Sequence, residues 1–244
     1  MIVKEKTVSL PSKSKHKVVM LDVEWTKNYR IKNGNKPFCY SLVFFGAPLK
    51  KVVKEKDISF GFKMKYAKSL SEIKNLPALL EKDLSFFLKN KYTLVGHQLC
   101  SDICVLKAVD SINQNLINLQ KEWKERRLSK HSRIFDTRFD LEILKNKSRR
   151  LVDVCSELNL DVSQPELKKS MTLMQNKFYE TKEKELYEKI AVLNIRHSLS
   201  SGLIYLLSNN EIKWLNKLNV NKIIFNNIKK HFSYVNSSEF NRLL

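Results

Sequence analysis

Three acidic residues in two separated stretches have the types and spacing to hold a hard cation. Asp22 and Glu24 close the run Lys17-Val18-Val19-Met20-Leu21-Asp22-Val23-Glu24-Trp25-Thr26, and Asp102 closes Gly96-His97-Gln98-Leu99-Cys100-Ser101-Asp102. The first run reads as a strand. Side chains alternate with a period of two, so Val18, Met20, Asp22 and Glu24 share one face and Val19, Leu21, Val23 and Trp25 the other. Both faces begin apolar, as in a central strand covered by other layers. Two bare carboxylates at the end of such a strand are costly unless a hard cation neutralises them or the strand end is wet. The second run starts in a short buried strand, Tyr92 to His97, and enters a helix near Leu99 to Ile112. Gly96 suits a tight strand-to-helix turn, and Asp102 then falls in the helix's first turn. There the helix dipole alone gives an acid a reason to sit. With Asp22 and Glu24 on a neighbouring strand, the three are a candidate Mg²⁺ or Mn²⁺ site.

The elements that must position these acids read as follows. Phe38 to Gly46 and Asp57 to Tyr66 predict two more strands, joined to the first in a meander through turn chemistry at Asn33-Gly34-Asn35. Residues 69 to 91 have helical spacing, with Pro77 as a break within them. Arg133 to Thr137 is a further short strand, Phe139 to Leu144 a short helix and Arg149 to Leu158 an amphipathic helix. Ile190 to Leu207 is apolar at helical spacing and should pack on the sheet. The order of strands and helices predicts an α/β architecture with a mixed sheet flanked by helices. Residues 1–16 read as a loose basic arm and 17–209 as the main domain. Insertions fall at about 113–132 and 164–187, and 210–244 form a C-terminal helical extension.

The chain has 244 residues with 45 Lys+Arg against 25 Asp+Glu, a formal net charge of +20. Such a surface attracts polyanions, nucleic acid first among them, although abundant Lys and Asn would also follow from base composition. Lys121, Lys124, Arg126, Arg127, Lys130 and His131 gather around Trp123, either as a nucleic-acid-tracking patch or as a solvated helix face. The four cysteines, Cys39, Cys100, Cys104 and Cys155, make no C-x-x-C pair and suit free thiols in a reducing compartment. The apolar runs predict no membrane span, and a cytoplasmic location is expected.

Asp22-Val23-Glu24-Trp25-Thr26 resembles the D-x-E-x-T first motif of the DEDD-type 3′–5′ exonucleases, which share a ribonuclease H-like fold. The Gly96–Asp102 run resembles their second motif, G-H-N-x-x-F-D, at the same spacing. Ile134 to Thr137 and Leu151 to Cys155 are similar to their I-D-T strand and L-D-x-L-C helix. The third motif of the histidine subclass, H-x-x-x-x-D, is matched by His197-Ser198-Leu199-Ser200-Ser201-Gly202, with Gly202 where the fourth acid is expected. The tyrosine subclass would put that acid at Ser201.

The resemblance implies a two-metal site with Asp22, Glu24 and Asp102 as ligands and His197 as general base. In nucleases such ions lie roughly 3.5–4 Å apart. Trp25 and Thr26 would line the terminal-nucleotide pocket, Trp25 alternatively packing in the core, with His97 beside them on the nucleic-acid side of the site in a supporting or structural role; Asp136 and Asp153 would not be ligands. It implies removal of nucleotides from DNA or RNA 3′ ends, at reduced rate for want of the fourth acid. The alternatives are a pseudonuclease that binds nucleic acid or scaffolds a complex without turnover, and an interaction subunit meeting a protein partner through its C-terminal helices.

Overall fold

The computed structural model describes residues 1–11, 16–26, 35–46, 49–129, 132–141, 149–164 and 170–244. The turn expected at Asn33-Gly34, Lys130 and His131 of the basic patch, and residues 142–144 of the expected short helix lie outside these. Residues 137–139 form a turn, and no helix begins at Phe139, Asp140 or Leu141.

Strands β1 (Ile2–Lys6), β2 (Val18–Thr26), β3 (Lys36–Phe45), β4 (Phe60–Tyr66), β5 (Thr93–Gly96) and β6 (Ile134–Asp136) build one mixed sheet in the order β1-β4-β3-β2-β5-β6. The first four pair antiparallel, and β5 runs parallel to both β2 and β6. The alternation read from β2 holds. Val18 and Met20 join one core cluster, while Val19, Leu21 and Val23 join the other. Helices α1 (Leu76–Lys89), α2 (Leu99–Val109) and α3 (Gln114–Glu125) cover the second face. The first face is covered by α4 (Leu151–Glu157), α5 (Met171–Thr181) and α6 (Lys184–Ser208). It also carries the C-terminal α7 (Val220–Ile228) and α8 (Ser238–Asn241), and β7 (Leu160–Asp161) pairs with β8 (Leu218–Asn219) beside it.

Two expectations are corrected. The arm expected to be loose contains β1, paired in register from Ile2↔Tyr66 to Lys6↔Phe62. Its lysines alternate with the β-branched Val3 on an edge strand, where charge is tolerated and discourages further pairing. The third strand begins at Phe60 rather than Asp57, because Glu55–Asp57 forms a 3₁₀ turn closed by Asp57 accepting from the Lys54 amide. The helical stretch is split in two beside Pro77, as expected: a 3₁₀ helix, Leu70–Asn75, gives way to α1, and Pro77 sits in the first turn of α1, where a missing N–H costs nothing.

Helix α6 is the central helix of the first face. Among the described residues it is the one helix long and apolar enough to cross a membrane, yet 83% of that stretch is buried inside the fold. It is therefore a core helix, apolar all round because the sheet, α5 and the C-terminal segment enclose it. The C-terminal segment docks on it rather than extending away. Glu188 accepts from Ser233 Oγ and the Tyr234 amide, and Phe232, Val235 and Phe240 are fully buried. The apolar side of these helices is thus already covered by the domain.

Candidate metal centre

The acids sit where β2 runs on past the end of its parallel neighbour β5. Asp22 and Glu24 point from the first face of β2 toward α6, and Asp102 enters from the first turn of α2. All three line one cleft of about 460 Å³, walled by Trp25, His97, Gln98, Ser101, Leu193, His197 and the start of α5. Asp22, Glu24 and His197 are the tightest group, with one ligand atom from each lying within 4.8 Å of the others. Asp102 lines the same cleft outside that group, close enough that the charges of Asp22 and Glu24 raise its pKa.

The turn that delivers Asp102 is built differently from the expectation. Gly96 is still in the strand, paired with Asp136. A β-carbon there would lie 2.9 Å from the Leu21 carbonyl oxygen, so glycine is needed for close strand approach, not for turning. The left-handed residue is Gln98, at φ 65°. Buried Asp136 holds it, accepting from the Gln98 and Arg138 amides and from Trp123 Nε1. Asp136 is therefore a scaffold for the α2 entry and no ligand. Asp153 pairs with Arg150 on the surface of α4.

Electrostatics show how uneasy the acids are. Burial raises Glu24 above the usual carboxylate range, partly offset by His197. Burial and the charges of Asp22 and Glu24 push Asp102 well up, opposed by a hydrogen bond from the Trp25 side chain. Glu24 Oε1 and Asp102 Oδ2 are buried without a hydrogen-bond partner. Nδ1 of His197 lies 3.5 Å from Asp22 Oδ2 and 3.4 Å from Glu24 Oε1. Burial works against charge on this ring, yet the two carboxylates hold its pKa up to about 10. As it stands, His197 is the counter-ion of the pair. Acting as a general base would require the ring to be neutral.

Of the residues expected to meet nucleic acid, Trp25 lines the cleft and also packs on the core of the second face. Thr26 does not reach the cleft. Its hydroxyl accepts from the Lys36 amide at 3.2 Å and closes the β2–β3 ladder, beyond a register shift at Glu24/Trp25. His97 lines the cleft, but both ring nitrogens are engaged, by Thr137 Oγ1 and by the Arg149 carbonyl, each at 2.9 Å. It is a brace between β5, β6 and α4. Burial is the main reason its pKa falls to about 4.

A neutral buried imidazole makes stability depend on pH. The unfolded chain takes up a proton near the ordinary histidine pKa, while the folded chain resists until about pH 4. Stability from this group is complete above pH 6.5 and falls as pH drops toward 4, by up to about 3 kcal/mol. Wild type and His97→Gln, unfolded in urea at pH 7 and pH 4.5, should therefore differ less at the lower pH. An equal difference at both would refute the assignment.

The third motif is misplaced by the sequence. Gly202 does not face the acids. A β-carbon on it would lie 2.6 Å from Met20 Sδ, one same-face step down β2 from Asp22. The positions of α6 that meet the acids are Asn194 and His197. Asn194 Nδ2 donates to Asp22 Oδ2 at 2.5 Å, and Cys39 Sγ lies 3.8 Å from Asn194 Oδ1. Gln98 and Ser101 lie within the Gly96–Asp102 run and reach the cleft at the start of α2, whereas Asn194 and the Ser170–Thr172 wall carry no spacing signal in the sequence. Those reach the cleft through the crossing of α6 over β2 and the entry of α5. The four cysteines are free thiols, and burial followed by the charges of Glu24 and Asp22 holds the Cys39 thiol protonated.

Against known proteins, the chain matches no family model, no curated protein and no solved structure.

Proposed function

We propose that this chain is a metal-dependent 3′–5′ exonuclease of the DEDD type, acting on DNA or RNA ends, on a ribonuclease H-like fold. One observation carries the reading. Three carboxylates from two distant segments, β2 and the first turn of α2, line one cleft, with Asp102 Oδ2 buried and unpartnered and Glu24 Oε1 met by the His197 ring at 3.4 Å. Buried polar atoms are nearly always satisfied, so a buried carboxylate oxygen without a partner beside two further acids fits a hard divalent cation. Asp22, Glu24 and Asp102 would hold Mg²⁺ or Mn²⁺. Such an ion supplies Lewis-acid polarisation of a phosphodiester and a bound water of lowered pKa.

The strand order supports the same reading. Leaving β1 aside, three antiparallel strands followed by two parallel ones, with Asp22 and Glu24 on the central β2, is the arrangement expected of a ribonuclease H-like sheet. The chain's own residues then divide the work. Asn194 orients Asp22, and Trp25 steadies Asp102 while offering a ring edge to the cleft. His197 balances the acids and is placed to exchange a proton within the cleft. The net charge of +20 draws the polyanionic substrate.

Single-stranded DNA and RNA labelled at the 5′ end, incubated with Mg²⁺ or Mn²⁺, should give a ladder shortening from the 3′ end and silenced by EDTA. Hydrolysis that ignores the chelator, or internal cuts alone, would overturn the reading. A second reading is a nucleic-acid-binding pseudonuclease. It is favoured by the α6 positions facing the acids, which carry an amide and an imidazole and no fourth carboxylate. Salt-sensitive binding without any ladder would select it.

A further inference from the structure

His197 is gripped from the side opposite the acids. Its Nδ1 faces Asp22 and Glu24, while its Nε2 lies 3.2 Å from the side-chain amide nitrogen of Gln164. Gln164 Oε1 is meanwhile buried without a partner among the described residues. Amide oxygen and nitrogen are alike in shape. Turning the amide over brings Oε1 to the ring, where it accepts from Nε2–H, and the orphaned oxygen is satisfied.

The segment that carries Gln164 is anchored by the C-terminal part of the chain. β7 is zipped to β8 by Leu160↔Leu218 and Asp161↔Asn219. Just beyond, Asn221 Nδ2 donates to the Ser163 carbonyl at 3.2 Å, and Asn221 Oδ1 accepts from Arg196 Nε at 2.8 Å. Asn221 and Arg196 are both fully buried. One asparagine on α7 thus ties together the two neighbours in sequence of the contacting pair, Ser163 beside Gln164 and Arg196 beside His197.

We infer that Gln164 is a positioning residue that fixes the His197 ring toward Asp22 and Glu24, and that Asn221 holds Gln164 in its seat. The C-terminal segment is then part of the site's construction, although it contributes nothing to the cleft wall. The effect on turnover rests on the exonuclease reading. The orientation of the ring does not.

The test uses the full chain labelled with ¹⁵N-histidine, the His197 ring signals being identified by their loss in His197→Gln. Gln164→Leu keeps the bulk and removes the polar atoms, and should shift the His197 Nε2 signal. Gln164→Glu keeps an acceptor and should restore it toward wild type. Asn221→Ala leaves Gln164 in the chain and should move the same signal in the direction of Gln164→Leu. The ring signals of the other four of the five histidines should stay fixed, reporting an intact fold. Where wild type hydrolyses nucleic acid, kcat in Gln164→Leu should fall about 10-fold or more with KM within about twofold, and Gln164→Glu should recover most of it. A His197 signal indifferent to Gln164→Leu overturns the assignment whether or not the chain is a nuclease. A signal that moves in Gln164→Leu but not in Asn221→Ala overturns the part given to Asn221.

Discussion

Asp22→Ala is expected to abolish metal-dependent hydrolysis, with a loss of at least about 10³-fold, or about 4 kcal/mol of barrier. Asp22 is the carboxylate on which the site converges. It accepts from Asn194, pairs with His197, and stands beside Glu24 on the same strand face. Removing it leaves Glu24 and Asp102, two of the three carboxylates of the cleft, to hold an ion. Folding should change only modestly, because repulsion with both Glu24 and Asp102 is relieved while the Asn194 hydrogen bond and one of the two carboxylates beside His197 are lost. Binding to single-stranded nucleic acid, which draws on the lysines and arginines of the whole surface, should survive with its salt dependence intact. The measurement is single-turnover hydrolysis and filter binding on the same preparations. Undiminished hydrolysis in the variant would place the chemistry elsewhere and sink the proposed centre.

Gly202→Asp separates the linear motif from the folded site. Read along the sequence, the substitution restores a missing acid and should strengthen metal binding. Read in the structure, it drives a side chain into fully buried Met20, whose Sδ would lie 2.6 Å from the new β-carbon. Overpacking of this kind costs about 1–3 kcal/mol, and a carboxylate left there without a cation adds several more or stays protonated. The expected result is a melting temperature lower by about 10 °C and no gain in metal affinity. Gly202→Ala is the control for shape. It carries the steric cost without the charge, offset by the better helix propensity of alanine, about 1 kcal/mol, so it should fall between wild type and Gly202→Asp. Thermal melts with and without Mn²⁺ decide the matter. A stable Gly202→Asp that binds Mn²⁺ more tightly would restore the original placement of the motif and rotate α6 away from the position described.

Local pattern reached a long way in this chain. A period of two placed Asp22 and Glu24 on one face of β2 and Trp25 on the other, because alternation is a property of any extended strand. Helical spacing announced α6, since a helix buried on all sides must be apolar along its length. The first turn of α2 was legible from where the strand stopped and the apolar period began. What the linear order could not supply was the rotation and height of α6 against the sheet. That is decided by small residues packing at Ser41, Ser198, Ser201 and Gly202, and it determines that Asn194 and His197, not position 202, meet the acids. Nor could sequence separation reveal Gln164 and Asn221 as neighbours of His197, because their contacts bridge more than 20 residues each and depend on β7 finding β8. Residue type fixes what a side chain is able to do, while the relative placement of helices and strands, set by packing across the whole core, fixes which side chains do it together.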